Sequence, residues 1–228
     1  MAKISRPPIW LRILSYLNRS LSIVRLSRKI LLRIFHIQFD IYVRGRGYID
    51  IIKINNGASM LLQLDDQVDI NIWWRGLYEE LPTKAFKKIV KTGDVVIDVG
   101  ANIGYYSVLA SECVGNTGKV ISFEPVSKIY KRLLFNTLGH NNITTVNSAC
   151  GKENGLAKIS VYNDSVSAGS SISVPDNSAT VNLEEIEVLS LDDYVKERRI
   201  DVVKIDVEGY ETNVLRGMEA ILRTKSAN

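Results

Sequence analysis

The sequence predicts an α/β fold: a largely parallel sheet with helices on both faces. Three stretches carry that expectation. Val95–Ile97 is an apolar run that enters Asp98 and a turn with Gly100 and Gly104. Lys119–Phe123 is a second short run that ends in Glu124-Pro125, and Asp201–Glu211 is a third, reading DVVKIDVEGYE. Short apolar runs spaced by helix-period segments are the pattern of buried parallel strands joined by crossovers. At 228 residues, 46% of them apolar, the chain can bury one sizeable core.

From the N-terminus, residues 1–39 hold eight Lys and Arg and no acid, so this segment carries +8 and the remainder −4. Trp10, Leu14, Leu17, Leu21 and Val24 recur at helical spacing opposite Arg12, Ser15, Arg19 and Ser22, which describes a basic amphipathic helix. Beyond Arg25 the apolar face rotates to Leu26, Ile30, Ile34 and Ile37, so a bend or a second helix is expected. The recurring arginines exclude a membrane span, and there is no signal-peptide core with a small-residue cleavage site. Two readings stay open for this segment: a helix lying on an anionic membrane face, or a helix packed on the core or on a dimer partner. Nucleic acid is not an expected partner, because clustered bases stand here without a reading motif.

In the segment 40–90, Asp40–Trp74 alternates apolar and polar positions around Gly45, Gly47 and Asn55-Asn56-Gly57, which predicts two hairpins, with Asn56-Gly57 as a type I′ turn. Pro82 then opens a helix through Val90, and Gly93-Asp94 leads into the first core strand. Residues 91–228 form the third segment, the α/β core. Asn142–Cys150 reads as its third strand and Asn163–Asn182, rich in serine, as a hairpin and loop over the site. Residues 213–222 read as a closing helix. Cys113 and Cys150 form neither a disulfide framework nor a metal spacing and suit a reducing cytoplasm. Cys150 reads as a small core residue, and His36 and His140 as ordinary surface or packing residues.

The turn after Val95–Val99 is where a ligand is expected. Glycines at Gly100 and Gly104 let backbone approach a ligand closely, and the helix that follows directs its unpaired N–H groups there. The glycines are four apart with Asn102 between them. That spacing departs from the dinucleotide pattern G-x-G-x-x-G and disfavours a nicotinamide dehydrogenase. Glu124, twenty positions beyond Gly104 at the end of the second strand, is placed to accept both hydrogen bonds of a ribose diol. In a strand through Asp201–Glu211, Lys204, Asp206 and Glu208 share one face and would project into the same crevice. Lys204 also reads as a structural ion pair with a carboxylate such as Asp98.

VVIDVGANIGYYSVLA, SFEP and VVKIDVEGYE, in this order, resemble the FkbM-type methyltransferases, which use S-adenosyl-L-methionine on a Rossmann-like class I fold to methylate hydroxyls of sugars and natural products. The resemblance runs from about Gly76 to Leu222. It takes in Gly76-Leu77-Tyr78-Glu79, Ser170-Ser171 and Leu191-Asp192-Asp193. It implies that Asp98, Gly100, Asn102 and Gly104 line the cofactor turn, that Glu124 holds the ribose, and that Asp206 and Glu208 flank the methyl group. One of these two carboxylates would be the base, its pKa set by burial against Lys204. A divalent metal on them is a weaker expectation, since two carboxylates two residues apart are few ligands. The acceptor expected is a glycan or natural-product hydroxyl, with Trp73, Trp74 and Tyr78 as candidates to stack on a sugar. The adenine would be held by backbone groups, by Ser148 or by apolar packing.

The class I sheet has seven strands, and only seventeen residues follow Glu211. The sequence therefore reads as a core lacking its C-terminal strands. This leaves a second function open, a cofactor-binding or membrane-docked fragment without catalysis. The expected location is the cytoplasm, with peripheral contact at the inner membrane face.

Overall fold

The computed structural model describes residues 5–20, 42–43, 46–54, 57–162, 181–196 and 199–226. Contacts divide the chain into two compact units, Met1–Glu80 and Leu81–Asn228. The division differs from the three segments 1–39, 40–90 and 91–228. The first helix joins the hairpin, and the helix expected from Pro82 joins the α/β core.

The first unit contains α1 (Ile9–Ser20), β1 (Ile49–Lys53), β2 (Ser59–Gln63) and α2 (Gln67–Arg75). β1 and β2 pair antiparallel from Ile49↔Gln63 to Lys53↔Ser59. Among the described residues one hairpin forms where two were expected: Gly45 lies outside the described residues, and residues 67–75 are helical. Val68, Ile70 and Ile72 alternate like a strand, but Asp66 caps the segment by accepting from the N–H groups of Val68 and Asp69, and Gly76 at φ 71° ends it. The local caps outweigh the period-2 pattern. Asn55 and Asn56 lie outside the described residues, as do the second helical stretch after Arg25 and His36.

The second unit begins with α3 (Glu80–Ile89), followed by β3 (Val95–Val99), α4 (Tyr105–Val114), β4 (Lys119–Phe123), α5 (Ser127–Thr137) and β5 (Ile143–Val146). Then come β6 (Ala149–Cys150), β7 (Gly155–Tyr162), β8 (Val181–Leu189), α6 (Leu191–Val195), β9 (Val202–Ile205), α7 (Glu211–Arg216) and α8 (Glu219–Ser226). A parallel sheet runs in the order β5-β4-β3-β9, and a second sheet in the order β6-β8-β7. The expected α/β class and parallel sheet are therefore present. β3 lies between β4 and β9, so the chain leaves it toward one side first and returns on the other. Such a reversal opens a crevice at the carboxyl ends of the strands.

Three expected elements are altered. The strand read over 142–150 is broken at Asn147, whose side-chain amide donates to the carbonyls of Glu124 and Pro125, and Ala149-Cys150 moves to β8 in the second sheet. β9 stops at Ile205 and does not reach Glu208: Glu208 has φ 50° and Gly209 φ 93°, and the Glu211 carboxylate accepts from the N–H groups of Gly209 and Val207. The closing helix is two helices separated at Gly217. Asp192 caps the second by accepting from Ala220 and Ile221. β7 and β8 pair antiparallel on either side of residues 163–180; the hairpin and loop expected over 163–182, with Ser170-Ser171, falls almost wholly outside the described residues.

Under the β3 and β4 end of the sheet, Ile97, Val99, Phe123, Cys150, Leu191, Val214 and Met218 form one buried core. Cys150 is 1% exposed and burial pushes its thiol pKa up, as suits a core residue. Gly217 seats the last helices against this core, since a Cβ there would stand 1.9 Å from the Gly151 carbonyl oxygen. Its φ of −81° is ordinary, so a substitution meets a purely steric obstacle. Gly217→Ala should cost about 1–3 kcal/mol in urea unfolding, the usual penalty of overpacking. An unchanged midpoint would show that α7 and α8 shift without loss.

Candidate functional site

The turn expected to hold a ligand is built by the chain's own backbone. Gly100 and Ala101 both donate to the Phe123 carbonyl, which joins the ends of β3 and β4. Gly100 (φ 73°) carries no side chain because a Cβ would lie 2.0 Å from the Asp206 carbonyl oxygen, and at Gly104 (φ 93°) it would lie 2.8 Å from Leu133 Cδ1. The glycines thus serve a close internal approach as well as an open turn. Asn102 takes φ 52°, and its side chain accepts from the Ile103 N–H at 2.7 Å. The Asn136 amide donates to the Ile103 carbonyl from α5.

Glu124 grips this turn. One carboxylate oxygen accepts from the Asn102 N–H and the other from the Val126 N–H, each at 3.0 Å. The side chain is 5% exposed, and burial raises its pKa to about 7. The two backbone donors and Lys204 pull in the opposite direction, Asp98 adds to the rise, and desolvation outweighs them. Each oxygen keeps a lone pair beyond the bonds it already accepts.

Across β3 and β9, Asp98 stands beside Lys204 in register. Asp98 is fully buried; Ser107 Oγ donates to one oxygen at 2.7 Å, and Lys204 Nζ lies 3.1 Å from the other as an ion pair outside hydrogen-bond geometry. Lys204 Nζ also donates to the Gly100 carbonyl at 3.1 Å, approaches Asp206 at 3.6 Å and lies 5.1 Å from the Tyr106 ring. The structure therefore brings Asp98, Gly100, Asn102, Glu124, Lys204 and Asp206 to one end of the sheet. The Asp206 N–H donates to the Val99 carbonyl, extending the ladder by one residue. Its side chain is 54% exposed, so the expected burial of this carboxylate is not found. Glu208 sits two residues on, exposed, in the left-handed turn and not on the strand face shared with Lys204.

Ser107, Asn136 and Asn147 also build the site and were not singled out for it. Ser107 had a visible signal, a polar residue in an otherwise apolar helix start; Asn136 and Asn147 had none. Ser148 follows β5 at the same carboxyl edge, fully buried, and its Oγ has no partner among the described residues. Trp73 and Trp74 are buried in the first unit, where the Trp73 indole N–H donates to Asp50, so neither presents a face to a sugar. His140 is occupied by Ser111. Among the described residues no group of three His, Cys, Asp or Glu is arranged to hold a metal, and no helix is long and apolar enough to cross a membrane.

The sequence matches the methyltransferase FkbM domain over residues 98–227, more than half of the chain. The chain belongs to the FkbM methyltransferase family. The FkbM domain thus takes in the turn, Glu124 and the KIDVEG segment together. The hexuronic acid methyltransferase AglP of Haloferax volcanii is 30% identical over 134 residues, 58% of this chain and 52% of that protein. Protein-L-isoaspartate O-methyltransferase 2 of Archaeoglobus fulgidus is 34% identical over 59 residues, 25% of this chain and 27% of that one. This FkbM chain therefore spans about half, or less, of the length of these relatives. Among solved structures, a SAM-dependent methyltransferase from Aquifex aeolicus is 28% identical, with 34% of this chain and 42% of that chain covered at a TM-score of 0.29. Aeropyrum pernix fibrillarin with bound S-adenosyl-L-methionine is 18% identical, with 46% and 54% covered at 0.28.

The Lys204 ion pair should govern stability. Lys204→Met leaves the Asp98 charge buried without its counter-ion and should cost about 3–5 kcal/mol, whereas Asp206→Asn, at a half-exposed site, should change stability by about 0.5 kcal/mol or less. The Asp98→Asn, Lys204→Met double variant should lose less than the sum of the singles. Additive losses in urea titration would show that the two residues act independently.

Proposed function

We propose that this chain binds S-adenosyl-L-methionine at the carboxyl ends of β3 and β4 and transfers its methyl group to a hydroxyl of a sugar or glycan. The single observation that carries the cofactor reading is the Glu124 clasp. A buried carboxylate already bonded to the glycine turn keeps one lone pair on each oxygen, as a pair of vicinal hydroxyls requires. The helix N-terminus at Tyr105 and the buried Ser148 hydroxyl supply further polar groups at that edge. Gly100, Asn102 and Gly104 form the turn that follows Asp98 at the end of β3, and Glu124 would hold the ribose. When bound, S-adenosyl-L-methionine supplies a methyl carbon activated by sulfonium charge. Alignment and exclusion of water are then most of what the protein must provide.

An attacking alcohol must lose its proton, and Asp206 and Glu208 are the candidate acceptors. Asp206 is the better placed, directly after β9 and 3.6 Å from the Lys204 ammonium. The sugar acceptor is supported by the family and by the relative named as a hexuronic acid methyltransferase.

Two expectations test this reading. Ribose hydroxyls donate to a carboxylate, so binding favours the ionised form of Glu124, whereas the free fold holds it protonated up to about pH 7. Cofactor affinity should therefore rise with pH up to about 7 and level above it, with proton uptake by buffer during binding below that point. In the absence of cofactor, the same raised pKa favours the fold at low pH, and that contribution is lost as pH climbs from 4.5 through about 7. Glu124→Gln should remove the pH dependence and weaken binding by about 1–3 kcal/mol; calorimetry giving wild-type affinity and pH profile would remove Glu124 from the site.

For the chemical step, Asp206→Asn and Glu208→Gln should keep cofactor affinity, and whichever residue is the base should lower turnover by roughly 10²–10⁴-fold. The assay follows labelled methyl onto a panel of glycans and uronic acids. Transfer to none of them would sink the hydroxyl-methylation reading, and cofactor binding lost in both variants would make these residues structural.

A further inference from the structure

α1 is amphipathic as its sequence predicts, but apart from Leu11 it turns its polar side inward and its apolar side outward. Its polar side chains turn inward. Ser15 Oγ donates to the Trp73 carbonyl at 2.8 Å, Asn18 to the Trp74 carbonyl at 2.7 Å, Arg19 to Ser15 Oγ and the Trp73 carbonyl, and Arg12 to the buried Asp50 carboxylate. Leu11 alone of the apolar side chains described on α1 is buried, at 2% exposure; the others turn outward, with Ile9 75% exposed, Trp10 50% with its ring against Tyr42, Ile13 53%, Leu14 41%, Tyr16 63% and Leu17 43%. Beside this face, α1 and β1 enclose an open cleft of about 640 Å³, with Ile13, Tyr16, Ile51 and Lys53 on its walls.

Each inward polar group has a partner, so the orientation is anchored and does not depend on covering the apolar face. Apolar groups left in water on a helix this firmly placed mark an interaction surface. Charge identifies the occupant. Residues 1–39 carry eight positive charges and no negative one. Arg6 and Lys53 are exposed, and among the described residues the one carboxylate lining the cleft, Asp50, is buried and held by Arg12 and Trp73. Among the described residues, an apolar face bearing a Trp and a Tyr, with the exposed bases Arg6 and Lys53 and no exposed acid on the cleft beside it, matches the boundary between headgroups and acyl chains of an anionic bilayer.

We infer that the outward face of α1 docks on the surface of a membrane containing anionic lipid. The helix lies in the interface plane, with Ile13, Leu14 and Leu17 in the acyl boundary and the flanking bases at the headgroups. This surface is independent of methyl transfer.

The test is sedimentation of the full chain with vesicles of phosphatidylcholine alone and with about one third phosphatidylglycerol, at low and high salt. Binding is expected to the anionic vesicles, weakening at least about tenfold as salt rises. Leu14→Glu with Leu17→Glu should reduce it by about tenfold or more, and both positions are exposed, so the fold tolerates the change. Tryptophan emission gives a second readout: Trp73 and Trp74 are already buried, so a blue shift on binding reports Trp10, and Trp10→Phe should abolish the shift while binding persists.

Absence of binding, equal binding to neutral vesicles, or binding unchanged in the double Glu variant would each overturn the proposal. So would concentration-dependent dimerisation that the same variant abolishes, which would assign the face to a second copy of the chain. Methyl transfer to a soluble acceptor should be the same in wild type and double Glu variant, so a failed transfer assay leaves this test standing.

Discussion

The ammonium of Lys204 is the point on which the carboxyl end of the parallel sheet depends. It lies between two strands and within reach of a buried carboxylate, a turn carbonyl and a half-exposed carboxylate. A charge as buried as Asp98 is costly unless compensated, and Lys204 compensates it from the adjacent strand. The same ammonium holds the Gly100 carbonyl, so the pair that neutralises the sheet interior also fixes where the glycine turn begins. Ser107 ties the start of α4 to the other oxygen of Asp98. Strand, turn and helix are thereby fastened to one carboxylate, and a change at Lys204 reaches all three.

Glu124 does the complementary work from the other neighbouring strand. Its two oxygens clamp the turn and the lead into α5, and Asn147 holds the backbone of Glu124 and Pro125 from the end of β5. Burial works against ionisation here while the bonds work for it. A further donor to either oxygen would shift this balance toward the ionised carboxylate.

Much of this was legible in the sequence because the signals were local. The β3 turn declares itself by glycine spacing, and Glu124 by its position at the end of an apolar run. The parallel sheet declares itself by three such runs, and the family by the joint order of its motifs. The misreadings share a cause, which is that a side-chain cap or clasp overrides a hydrophobic period. Asp66 converts the alternating Val68, Ile70 and Ile72 into helix. Asn147 breaks the strand over 142–150. Glu211, by gathering the N–H groups of Val207 and Gly209, ends β9 before Asp206 and removes Glu208 from the face it was expected to share with Lys204. These bonds form between residues whose pairing a period does not encode.

α1 illustrates a different limit. Periodicity identified both of its faces, Trp10, Leu14 and Leu17 against Arg12, Ser15 and Arg19, but periodicity carries no sign for inside and outside. The sign comes from the partners. The carbonyls of Trp73 and Trp74 lie at the C-terminal end of α2, where the last backbone acceptors of a helix have no partners within it. Ser15, Asn18 and Arg19 supply donors to them. Each such bond contributes only about 0.5–1.5 kcal/mol net, yet a buried acceptor left unmade costs about 1–3 kcal/mol. Turning the apolar face inward would therefore bury more hydrocarbon and strand several acceptors at once. The polar anchoring of α1 follows from that balance, and with it the outward placement of Ile13, Leu14 and Leu17.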